Sequence, residues 1–153
     1  MRWVAHPVGA LSLNIGGMYL LYLTPLYAAS LDSRFLQGLL HFHFLVAGFI
    51  FSWAVLAGPD RAPHKPSMRL RAAVLFVAIA LHAILAKLMV VWQLPVGVEH
   101  PPEMVESAAK LMFYGGDLIE LLLAAILFSS WIYDRKRPGR PLAQCSVPGE
   151  PPS

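Results

Sequence analysis

The sequence is poor in charge and nearly devoid of cysteine. Asp, Glu, Lys and Arg make up 14% of its 153 residues, where an ordinary soluble domain carries about a quarter. The single cysteine, Cys145, excludes an internal disulfide and leaves no CxxC or CxC pair for a thiolate metal site. HExxH, GxSxG and Gly-rich phosphate loops are also missing, and no nucleophile is placed beside a base, so nothing points to an enzyme. No internal repeat is visible, which argues against an inverted-repeat transporter. Nor is there the period-2 alternation of a membrane β-barrel strand.

What the chain does contain is long apolar runs. Hydrophobic residues make up 57% of it, and its mean hydropathy is +0.57. Crossing the hydrocarbon layer takes about 20 apolar residues in a helix. Four stretches qualify, at residues 7–27, 35–57, 72–92 and 107–133. Lipid offers no partner to unpaired backbone groups, so these should be helices. The expected fold is an all-α polytopic membrane protein, a four-helix transmembrane bundle. Arg2 followed by an apolar run and "YAAS" outlines a secretory leader. The run is longer than the core of such a leader and contains Asn14, Gly16 and Gly17, so it is expected to remain as a span.

The net charge of +3 does not indicate nucleic acid, because the cations sit at particular ends of the spans. Arg61, Lys65, Arg69 and Arg71 lie between the second and third spans, and Arg135, Lys136, Arg137 and Arg140 follow the fourth. The third loop, "QLPVGVEHPPEMVE", carries Glu99, Glu103 and Glu106 and no basic residue. Loops rich in Lys and Arg stay in the cytoplasm, which predicts an N-in/C-in topology. The Pro- and Gly-rich segment 135–153 reads as a disordered cytoplasmic tail.

Ionisable residues inside spans are costly and mark function by default. Here they are His41 and His43, His82 and Lys87, and Asp117 and Glu120. Counted from the expected outer ends, His41, His43, His82 and Asp117 all fall roughly 9–15 Å deep, at 1.5 Å per residue. The expectation is a shared outer-half cluster. His41 and His43 point about 200° apart on a helix. His41 shares its stripe with Gly38, Gly48 and Ser52, the small residues that mark helix contact in membranes, so His41 is expected to face inward and His43 a second helix. Met89, seven residues beyond His82, is a possible soft ligand, since imidazole with thioether suits Cu(I). Asp117 and Glu120 are expected to share a proton or orient an imidazole. Lys87 is expected to snorkel to the surface. Each group also has a plain structural reading, as an interhelical hydrogen bond or, for Met89, core filling.

"HPVG", "LLHFHFLVAGFIFSWAVLAGPD", "LHAILAKLM" and "FYGGDLIELLLAAILFSSWIYDR" together resemble the cytochrome c oxidase assembly factors of the CtaG type associated with caa(3) oxidases, in their C-terminal part. Members often have a further histidine one turn before His41, where this chain has Gln37. The resemblance implies a non-enzymatic factor of the bacterial inner membrane. It would assist oxidase assembly, with oxidase subunits as partners and copper as the metal handled at His41, His82 and His43. Two other classes fit the residues. One is a b-type haem protein with His41 and His82 as axial ligands. The other is a proton-coupled transporter subunit relaying protons through Asp117, Glu120 and the histidines.

Overall fold

The computed structural model describes residues 6–56 and 66–136. Over these residues the chain is helical, as expected, with no strand: α1 (Pro7–Leu23), α2 (Leu26–Asp32), α3 (Arg34–Leu56), α4 (Met68–Trp92) and α5 (Pro102–Lys136). Helices α3, α4 and α5 are long and apolar enough to cross a membrane. The segment bearing Arg61 and Lys65, and the tail from residue 137 with Cys145, lie outside the described residues.

The expected first span is two helices rather than one. Pro25 has no N–H to give to the helix, and its ring displaces the preceding residue from helical conformation. Thr24 is accordingly extended, at φ −125° and ψ 164°. Its hydroxyl donates to the Leu20 carbonyl and accepts from Leu26 N, covering the groups the break leaves free. At 17 residues α1 is about 25 Å long, somewhat short of the hydrocarbon thickness.

The other boundaries follow ordinary capping chemistry. Ser67 Oγ accepts from Leu70 N at 3.2 Å and starts α4. Gln93, left-handed at φ 50°, ends it. Prolines open α1 and α5, where a missing N–H costs nothing. Arg71, in the first turns of α4, donates from Nη1 to the Val55 carbonyl at the C-terminal end of α3, 3.3 Å away.

One buried cluster holds the helices together: Ala10 and Ile15 of α1, Phe51 and Val55 of α3, Leu75 and Ala78 of α4, and Leu123 and Leu127 of α5. A second, of Met89, Leu94 and Ala109 with Tyr22 beside it, closes the Trp92 end. These pairings set α1 alongside α4 in the same direction, with α3 and α5 running opposite. Outward faces are as greasy as the core: Phe35 is 81% exposed and Leu45 73%. A helix apolar all round fits a lipid surrounding.

Candidate functional site

The most polar point inside the bundle is the seam between α4 and α5. His82 projects from α4 toward Gly116, and a Cβ at that position would run into the imidazole ring. The missing side chain is therefore what seats the ring. His82 Nε2 lies 3.2 Å from the Met112 carbonyl of α5, and Nδ1 lies 3.5 Å from Glu120 Oε1. Glu120 is 8% exposed, and its Oε2 makes no hydrogen bond among the described residues. Asp117, one helical turn earlier, is half-buried. Tyr19 of α1 braces the same stretch, its hydroxyl donating to the Leu81 carbonyl at 2.9 Å.

The partners of the two ring nitrogens limit which proton arrangements can bond. A carbonyl only accepts, so Nε2 must carry a hydrogen. In a neutral ring Nδ1 is then an acceptor, facing a carboxylate that would also only accept. A hydrogen bond between them would take one more proton, as either an imidazolium–carboxylate pair or a neutral imidazole accepting from a carboxylic acid. Both arrangements have zero net charge, which is what a low-dielectric seam tolerates. The arrangement can hold one proton and fasten two helices. The expectation that Glu120 acts with an imidazole thus has a geometric basis at His82.

The remaining sequence-expected residues are not gathered there. Among the described residues, no group of three or more His, Cys, Asp and Glu side chains is close enough to hold a metal ion. His41 is exposed, its Nδ1 is 2.7 Å from its own helix's Gln37 carbonyl, and it lines a cavity of about 410 Å³ with Tyr22, Tyr27 and Ser30. His82 does not line that cavity. His43 faces a second helix, α1, as expected, while His41 reaches the bundle only through that cavity. The His43 ring is half-buried over Gly17 of α1, where a Cβ would come within 2.7 Å of Nε2. The small residues on the stripe of His41 misled: a Cβ at Gly38 or Gly48 would meet nothing within 4 Å, while α3 packs through Ala47, Phe51 and Ala54.

Met89 is buried in the second cluster, seven residues and about 10 Å along the helix from His82. Lys87 is exposed, as expected. Lys110 pairs with Glu106, 2.6 Å away on the α5 surface. Gly115 and Gly116 read in the sequence as a point of close approach, but not as the seat of the His82 ring. The "GGD" run within about one turn of the middle of α5 was the available signal, although it does not say which glycine faces α4.

A model of the family described as "Cytochrome c oxidase caa3 assembly factor" matches residues 1–134. Uncharacterized protein ML1998 of Mycobacterium leprae is 32% identical over 81 residues, covering 53% of this chain and 12% of that protein. Uncharacterized protein Mb0105 of Mycobacterium bovis is 31% identical over 84 residues, with the same coverage of each. The chain thus spans about 12% of the length of these curated relatives. No solved structure matches.

Proposed function

This chain belongs to the family of cytochrome c oxidase caa3 assembly factors, and from that membership we propose that it is a non-catalytic inner-membrane protein that assists maturation of the oxidase. The match over residues 1–134, which takes in the described bundle rather than one greasy helix, carries the reading. Its partners are oxidase subunits, met within the bilayer. In this reading the bundle crosses four times, with α1 and α2 together completing the first crossing. The Lys- and Arg-bearing ends are cytoplasmic and the Trp92 end is outer. The His82–Glu120 seam keeps α4 and α5 in register while the exposed apolar faces meet lipid and partner.

Deleting the gene and restoring it on a plasmid tests this. Oxidase activity and the assembled enzyme's absorption in membranes should fall on deletion and return with the wild-type chain. Membranes with a full complement of oxidase after deletion would overturn the reading.

The finer part of the proposal is that copper is the cargo, handled on the outer side by His41, His82 and His43. Because these imidazoles stand apart, copper would meet them one at a time and not in one centre. Donor chemistry supports this, since neutral imidazole suits copper. Copper content of detergent-purified protein that is no higher than in a His41→Ala/His82→Ala variant would remove these ligands.

A further inference from the structure

At the Trp92 end, Met89, His100 and Met104 line one cavity of about 160 Å³. Met89 comes from the last turn of α4, His100 from the connection, and Met104 from the first turn of α5. Tyr22 and Tyr27, stacked with ring centres 6.3 Å apart, form part of the wall. No Asp, Glu, Lys or Arg lines this cavity. We infer that it is a Cu(I) site whose ligands are the thioether sulfurs of Met89 and Met104 and an imidazole nitrogen of His100.

The donor set selects the metal. Two neutral thioethers and a neutral imidazole are soft to borderline ligands that favour Cu(I), whereas Mg²⁺ and Ca²⁺ need carboxylate and carbonyl oxygens. Packing accounts for Met89, which is 3% exposed against Leu94 and Ala109. It does not account for Met104, a thioether 58% exposed on the same cavity as His100. One ligand is therefore fixed by the core, while the other two can be reached from outside and can close over an ion.

Location agrees with this. Met89 lies three residues, about 4.5 Å along the helix, from the interfacial Trp92, so a bound monovalent cation avoids the cost of the bilayer centre. The exposed carboxylates Glu99 and Glu103 flank the lining residues in sequence and raise the local concentration of cations without entering the cavity.

The inference deepens the copper-cargo reading and rests on it for its role, although binding can be tested alone. Full-length protein in detergent is titrated anaerobically with Cu(I) in competition with bicinchoninate. One Cu(I) per chain is expected to be held against bicinchoninate, apart from weaker encounters at the single imidazoles of His41, His82 and His43. Met104→Leu combined with His100→Ala should weaken binding by more than about tenfold, since even the outer partners of metal ligands cost that much. Met104→Leu preserves volume at an exposed position, so folding should be kept. Copper X-ray absorption should show sulfur neighbours in the wild type, lost in Met89→Leu/Met104→Leu. No Cu(I) uptake, only nitrogen and oxygen around copper, or a loss caused by His82→Ala and not by Met104→Leu/His100→Ala would overturn the site. A chain that fails to bind Cu(I) yet is required for oxidase assembly defeats the site alone; one that binds but is dispensable for the oxidase defeats the assembly reading alone.

Discussion

Replacing Gly116 by Ala places a methyl group where the His82 ring sits. The ring is wedged between two helices, so either it swings out of the seam or α4 and α5 separate. Swinging out loses the hydrogen bond to the Met112 carbonyl, worth about 1 kcal/mol net. It also leaves Glu120, already unpartnered at Oε2, with neither oxygen satisfied in a buried position, at a further cost of about 1–3 kcal/mol. The expected destabilisation is therefore about 2–4 kcal/mol, the range in which overpacking also falls. Gly115→Ala is the control: a Cβ there meets nothing within 4 Å, and the substitution should be neutral or should gain up to about 1 kcal/mol of helix propensity. Reversible unfolding in mixed detergent micelles, followed by circular dichroism, measures both. In a Gly116→Ala/His82→Ala variant the methyl group has room, so the two costs should not add. If Gly116→Ala unfolds within about 0.5 kcal/mol of Gly115→Ala, the scatter of an ordinary surface change, the account of the seam is wrong.

Other substitutions probe neighbouring contacts. Glu120→Gln can donate an amide hydrogen to His82 Nδ1, so it should cost about 1 kcal/mol or less in the same unfolding assay. A loss of about 3–5 kcal/mol would mean a buried imidazolium has been left without its counter-charge. Tyr19→Phe removes only the hydroxyl that reaches Leu81 and should cost about 0.5–1.5 kcal/mol, so no measurable loss would show that this bond is not formed. Gly17→Ala pushes against His43 and should cost about 1–3 kcal/mol, relieved in a Gly17→Ala/His43→Ala double variant. Equal costs with and without the imidazole would place the strain elsewhere.

Hydropathy alone located α3, α4 and α5, because a helix of about 20 consecutive apolar residues matches the thickness of the hydrocarbon layer. It ran the first segment through Pro25, since a hydropathy average does not register a missing backbone donor. Of the ionisable residues inside the spans, His82 and Glu120 meet across a seam, but His41, His43, His82 and Asp117 do not form one cluster among the described residues. Rotation about the helix axes was not legible. For α3 the small-residue stripe pointed to His41 as the inward ring, but contact runs through Ala47 and Phe51, and His43 faces α1. Which stripe packs depends on the surface each neighbour offers, here Gly17 on α1, and a single helix read alone does not contain that information. Met104 was illegible for a related reason. Its place beside His100 and the end of α4 comes from the folding of the connection, which brings all three to the same hollow.

The acceptor that His82 finds on α5 is a peptide oxygen rather than a side chain. Any residue at position 112 other than one that distorts the helix presents the same oxygen in the same place. The Met112 side chain, packed against the second cluster, can therefore be exchanged for another apolar one without losing the latch, while the imidazole and the gap at position 116 have to be inherited together. Drift should consequently be permitted on one flank of the contact and penalised on the other.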